Sequence, residues 1–385
     1  MKNIFLVIWG DPKFYQTLIF LSQKFSSDKF KVFILCRNSI NTKDIIKKVN
    51  FGKNTKLLKS PIFLSNNFNI LNYIIFNFYI IIQLFLKEPN HIIFFNKKSL
   101  FNILFVKIFK KKTNCIYHNF DFELVNNAIS FKESFLINFE YFCTKFCNHL
   151  IFPSKKRMLI FKKFSKNRIS KYYSFMNCFP KNFTIKNSTN FNKFLSKNNL
   201  RSKYIVCYLG SIGSNHHLNE IIDSFKLLND NFVLVVAGSS ISGFADRLKN
   251  KIFNENLQKK VFIFKDISNK YWFEILKRSQ LGLCFYKPNC TSHKFMAGTS
   301  QKFNNYVFSN TPMIVNNNND FLSFKKKFDI FDVVNPNNPK KIALKINFLL
   351  TNKARYYKIK KNLKICFLNE LNFEVQFKKS YETFL

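Results

Sequence analysis

YIVCYLGSIG, residues 204–213, decides the fold. Tyr204–Leu209 is an unbroken apolar run, and it stops at Gly210-Ser211-Ile212-Gly213. A short apolar run that ends on glycine reads as a buried parallel strand entering a loop. A helical pattern follows over Leu218–Leu228, and FVLVVA at 232–237 is a second such strand, ending in Gly238. Val261–Phe264, Leu281–Tyr286 and Pro312–Val315 read as further strands, with helices over Tyr271–Ser279 and Ser300–Phe308 between them. Strands that alternate with helices imply right-handed βαβ units and a parallel sheet.

The same alternation runs through the first half. Ile4–Ile8, Phe30–Cys36, His91–Phe95, Asn114–Tyr117 and Leu150–Phe152 read as strands, with helical patterns over Lys13–Phe25 and Leu100–Phe109. Between Pro180 and Ser202 the pattern dissolves into Asn, Ser and Lys, as a connection between domains does. The expected organisation is a first domain over 1–180, a linker over 181–203 and a second domain over 204–350. C-terminal helices over 351–385 are expected to return to the first domain. At 385 residues the chain has room for two domains of ordinary size.

The charge is extreme. With 62 Lys+Arg against 21 Asp+Glu the net charge is +41. Such a surface attracts polyanions, including anionic lipid and phosphorylated substrates. The abundance of Lys, Asn, Ile and Phe (52 Phe) also fits a genome rich in A/T codons, which would give the same excess whatever the function. A hydrophobic content of 47% excludes a disordered basic protein. The nine cysteines form no CxxC pair and suit a reducing compartment as small core residues. No zinc spacing occurs, and no metal site is expected. The start of the chain lacks a small-residue cleavage site after its short apolar run. ILNYIIFNFYIIIQLFL at 70–86 is short for a membrane span and carries Asn72, Asn77 and Gln83, so a buried or membrane-surface helix is favoured.

Open parallel sheets bind ligands beyond the carboxyl ends of their strands. That rule selects the loops at Gly210–Ser214, Gly238–Gly243, Lys265–Ser268 and Tyr286–Thr299. Glycine permits close backbone approach, and helix N-termini favour anions. Neither the GxGxxG fingerprint nor the P-loop is present.

Four stretches in order, YLGSIG, FVLVVAG, FIFKDISNKYWFEILKRSQLGLCFY and SQKFNNYVFSNTPMIV, resemble the family-four-type glycosyltransferases of the two-Rossmann, GT-B architecture. The short strand of the form D-hydrophobic-G-hydrophobic has its counterpart in Ser279-Gln280-Leu281-Gly282-Leu283. The helix of the form S-x-K-hydrophobic-x-E-Y has its counterpart in Ser300–Tyr306. In the first half IYHNFDFEL (116–124), FEYFCTKFCNHLIFPSKKR (139–157) and Asn177-Cys178-Phe179-Pro180 are similar to the family's pattern too. The resemblance implies two Rossmann-like domains facing each other across a cleft, and a nucleotide-sugar donor held by the second.

For the donor it implies contacts from Gly210, Gly213, Gly238, Ile267 (through its backbone) and Asn305; His216 is expected to touch phosphate or else to lie at an exposed helix start, and Ser300 is a further donor-side candidate. Lys302 would offset the diphosphate charge as the leaving group departs, which is electrostatic catalysis. The sequence departs from the family in three places. Asn305 stands where a glutamate usually binds the ribose, Ala297 stands about where the earlier glutamate would fall, and the Arg and Lys after the first glycine loop are replaced by Ser214-Asn215-His216-His217. Arg247, Lys294 and Lys302 are the replacement cations. His118 is expected to hydrogen-bond the transferred sugar, or else to be a packing histidine at a strand end. Asp121 would assist it or cap the next helix, and Asp11 would touch the acceptor or shape a turn.

The implied reaction is retaining transfer without an essential metal, to a saccharide or lipid-linked saccharide in surface polysaccharide assembly. The donor enters as substrate and no cofactor is expected. The setting is cytoplasmic, peripheral on the inner face of a membrane, with an anionic lipid surface as partner and no nucleic acid. Three other readings stay open: a catalytically inactive transferase-like subunit, a sugar-nucleotide epimerase of the same fold, and a basic nucleic-acid-binding protein.

Overall fold

The computed structural model describes residues 1–37, 49–61, 69–121, 123–184 and 189–385. By contact the chain divides into two units, Met1–Asn177 with Gln376–Leu385, and Cys178–Val375.

The first unit holds β1 (Asn3–Ile8), β2 (Lys31–Cys36), β3 (Thr55–Lys59), β4 (His91–Phe94), β5 (Asn114–His118), β6 (His149–Phe152) and β7 (Lys171–Ser174). They form one sheet in the order β3-β2-β1-β4-β5-β6-β7, and every pairing is parallel. Leu6, Val7, Ile34, Ile93 and Ile116 are fully buried, because helices cover both faces of a parallel sheet.

The second unit holds β8 (Tyr204–Leu209), β9 (Phe232–Gly238), β10 (Val261–Lys265), β11 (Leu281–Cys284), β12 (Met313–Asn316) and β13 (Asp332–Val334). Their order is β10-β9-β8-β11-β12-β13, again all parallel. Both sheets follow the doubly wound pattern in which the strand order reverses beside the first strand. In the second unit that switch point lies between β8 and β11.

The stretch expected to be a bare linker contains a helix, Asn190–Lys197. Its Phe191 and Leu195, four residues apart, are buried on one face. Phe194 packs edge-on against Phe262 and Phe264 of β10, so this segment belongs to the second unit. Of the expected 351–385 return, only Gln376–Leu385 groups with the first unit. The helix Lys353–Asn369 stays with the second because Arg355 grips Asp329 through both terminal nitrogens at 2.7 Å and reaches Asp332 at 2.7 Å. The Arg355 hydrogen bonds hold the Asp329 carboxyl well below the usual carboxylate range.

All nine cysteines are free, and eight are buried. No group of His, Cys, Asp or Glu among the described residues could hold a metal ion.

Candidate donor-phosphate site at the β8–β11 switch point

Where two parallel strands part, their backbone groups lose neighbours and need other partners. Tyr306, on the helix Gln301–Phe308, fills that gap between β8 and β11. Its hydroxyl accepts the Leu209 N–H at 3.3 Å and lies 3.1 Å from the Cys207 carbonyl and 3.3 Å from the Leu283 carbonyl, to which it donates. Gly282 makes room for the ring, since a Cβ there would stand 2.6 Å from it. The helix is therefore locked across the switch point with its N-terminus at the strand tips. Ser300 caps it by accepting the Phe303 N–H at 3.2 Å, and the Ser300 hydroxyl also bonds the Tyr286 hydroxyl.

The loop after β8 lies close against β9. Gly210 donates to the Ala237 carbonyl at 2.9 Å, and a Cβ on Gly238 would stand 1.8 Å from the Gly210 oxygen. Gly210 itself has φ +157 and touches the Lys302 stem, whose Cε would be 2.8 Å from a Cβ there. Both glycines are required by close approach.

Lys302 enters beneath this loop and is only 5% exposed. Its Nζ has no hydrogen-bond partner. It stands 3.7 Å from the centre of the Tyr208 ring and 4.6 Å from that of Tyr286, two cation–π contacts in place of a counter-ion. Burial pushes its pKa down to about 7. Asn305, one turn further on the same helix face, is also buried, and its Oδ1 lacks a partner. Buried polar groups are normally satisfied, so two orphaned atoms on one face make this helix a candidate ligand-binding element.

His216 lies against Tyr286 at 5.4 Å and Tyr208 at 6.0 Å, with an unpartnered Nδ1. Burial, then the Lys302 charge, lowers its pKa to about 3, so it is neutral at physiological pH. His293, 5.9 Å from His216, donates through Nδ1 to the Lys287 carbonyl at 3.0 Å. Tyr208, Tyr286 and His293 were not singled out from the sequence. Tyr208 lies far from the other two along the chain, and the convergence of strand tips brings it and Tyr286 to Lys302, with His293 against Tyr286.

The remaining donor-side candidates divide. Gly213 begins the short turn Ser214–His216. Ile267 is half-buried in the loop after β10. Arg247 is exposed, its guanidinium resting on the Phe244 ring at 5.2 Å, and Lys294 is exposed at the end of the four-residue helix Thr291–Lys294. Neither offers a buried cation.

In the first unit His118, at the end of β5, is fully enclosed. Phe95, Phe120 and Phe175 surround its ring at 5.2–5.5 Å between centroids. Nδ1 bonds the Tyr381 hydroxyl at 2.8 Å, while Nε2 has no partner. Burial lowers its pKa to about 3. Asp121 is 84% exposed and pairs with the buried Arg157 at 3.6 Å rather than with His118. It caps no helix, since Leu124 precedes the next turn. Asp11 accepts the Lys13 N–H at 3.1 Å and caps a short turn.

Residues 190–365 match the model of the family described as glycosyl transferases group 1. No curated protein matches the chain by sequence. Among solved structures, the chain is similar to HepE of Anabaena, crystallised with UDP and glucose. The TM-score is 0.77 at 12% identity, covering 100% of this chain and 99% of that one. It is similar to sucrose-phosphate synthase of Thermosynechococcus elongatus, with a TM-score of 0.75 at 11% identity and coverage of 98% and 96%. A glycosyltransferase of Rickettsia africae gives 0.72 at 15%, with coverage of 99% and 97%. Residues 190–365 thus match the group 1 glycosyltransferase model, and the two Rossmann-like halves of the chain have the GT-B fold.

Proposed function

We propose that the chain transfers a sugar from a nucleotide-sugar donor whose diphosphate seats over Lys302 at the β8–β11 switch point. The observation that carries this reading is the buried Lys302 ammonium without a counter-ion. A diphosphate supplies the missing negative charge, and the N-terminus of Gln301–Phe308 adds a favourable dipole. The relatives crystallised with UDP and glucose and with UDP-glucose support a uridine diphosphate donor.

In this reading Lys302 balances the charge that grows on the diphosphate as the bond to the sugar breaks. Asn305, through its amide, receives the ribose hydroxyls. An amide both donates and accepts, although its bond is weaker than the charge-assisted one a carboxylate would make. Gly210 and Gly238 keep the backbone low enough for the phosphates to approach. Retention at the anomeric carbon and transfer without a metal follow the family resemblance. The acceptor is a saccharide or lipid-linked saccharide of surface polysaccharide assembly, reached at the cytoplasmic face of a membrane. The +41 charge supports that setting. His118, Asp121 and Asp11 stay outside this reading, being enclosed, ion-paired at the surface, and engaged in a turn.

Thermal melting against UDP-, GDP-, ADP-, CMP- and TDP-sugars tests it, because a ligand that binds only the folded state raises the melting temperature. A UDP-sugar is expected to raise it in the unaltered protein and not in Lys302→Met. No response to any donor, or an equal response in the variant, would remove the basis of the proposal.

A further inference from the structure

The helix Asn69–Lys87 is apolar on its exposed face as well as on its buried one, which a helix packed on a sheet and bathed in water does not need to be. Phe76, Ile80 and Leu84 bury one face against the first unit. On the opposite face Ile70, Ile74, Phe78, Ile82 and Phe85 repeat at three- to four-residue spacing and are exposed, Ile70 by 75% and Phe78 by 63%. Only 28% of residues 70–87 are buried, and among the described residues this is the one helix long and apolar enough to cross a membrane. The face continues onto the helix Ile103–Phe109, whose Phe109 meets Phe85 edge-on at 5.3 Å and whose Ile108 is 64% exposed.

The rim of this face is basic. Lys110 lies over the Phe85 ring at 5.5 Å and is paired with Glu88, while Lys111 and Lys112 are exposed beside it. Two occupants compete for an apolar patch of this size: a lipid surface and a second copy of the chain. Self-association would bring two lysine rims of a +41 chain together. An anionic bilayer instead neutralises the rim and takes up the apolar side chains.

We infer that the outer face of Asn69–Lys87, with Ile108 and Phe109, inserts into the headgroup region of an anionic membrane while the opposite face stays on the sheet. This rests on the membrane setting proposed above and goes further, because it makes binding hydrophobic as well as electrostatic. Charge attraction alone is released by salt, whereas inserted side chains are not.

The test is sedimentation of the full chain with vesicles of phosphatidylcholine, with and without phosphatidylglycerol, at low salt and at about 1 M salt. Binding is expected to require phosphatidylglycerol at first contact and to persist in part at high salt. Phe78→Glu with Ile82→Glu should lose the salt-resistant fraction, lowering partitioning about tenfold or more. Both sites are exposed, so the variant should keep its melting temperature and its response to UDP-sugars, and that response separates failure here from failure of the donor site. Complete release of the unaltered protein by salt would overturn the inference. So would unchanged binding by the variant, or a dimer in light scattering that the variant splits into monomers.

Discussion

A lysine ammonium held between two tyrosine rings costs the free protein stability, and the cost has a defined pH range. Unfolded, Lys302 titrates near its ordinary value of 10.5; folded, near 7. Between these values the unfolded chain binds more protons, so stability rises with pH across that window, and below about 7 the full penalty applies. Replacing a buried charge by an apolar side chain of similar size commonly stabilises by about 1–4 kcal/mol. We therefore expect Lys302→Met to melt higher than the unaltered protein at pH 7 and below, with the gain shrinking towards pH 10, as a series of melting curves would show. Donor binding should follow the opposite logic. The diphosphate favours the charged amine, so binding takes up a proton above pH 7, and UDP-sugar affinity is expected to fall about tenfold per pH unit there. Calorimetric titrations from pH 6 to 9 in buffers of different ionisation enthalpy would show both the loss and the proton. A flat profile would mean that Lys302 does not face the phosphates. Lys302, Ser300 and Asn305 were legible in the sequence only through the resemblance of their helix to a family pattern. The tyrosines that replace a counter-ion were not legible, because nothing in the local sequence links Tyr208 to Tyr286.

At the scale of elements, the switch point works because two strands, one loop and one helix are fitted with very small tolerances. Gly238 lets the Gly210 carbonyl lie against β9, and Gly282 lets Tyr306 sit between β8 and β11. Gly238→Ala would place a methyl group 1.8 Å from the Gly210 oxygen at φ +153, and the loop would have to move off β9. The expected cost is about 3 kcal/mol or more in urea denaturation, with loss of the UDP-sugar response, since the loop over Lys302 is displaced. The central strands were legible because buried parallel strands are continuous apolar runs. β3 (TKLLK), β7 (KYYS) and β13 (DVV) were not. All three are edge strands; polar residues interrupt the half-exposed runs of β3 and β7, and β13 is only three residues long. The helix Asn190–Lys197 was hidden because its apolar face, Phe191, Phe194 and Leu195, spans only two turns inside a stretch of Asn, Ser and Lys. Arg247 and Lys294 stand near these loops along the chain, and their helices carry them to the surface.

For the molecule as a whole, the notable feature is that the first unit is made of two pieces of chain. Tyr381 is fully buried and touches Phe25, Phe175, Phe377 and His118. Tyr381→Phe leaves the His118 Nδ1 without its partner and should cost about 1–2 kcal/mol. Tyr381→Ala opens a cavity as well and should cost about 3–5 kcal/mol. Both losses would be read from denaturation followed by the fluorescence of Trp9 in the first unit, while Trp272 reports the second. His118 and Tyr381 are 263 residues apart. A ribosome adding about 5–20 residues per second needs on the order of 10–50 s to travel between them. Through that interval the emerging first half carries an open aromatic socket, a natural target for holding chaperones. A circular permutant that moves 376–385 ahead of residue 1 would supply the plug first, and should reach the soluble state in translation extracts with less chaperone help.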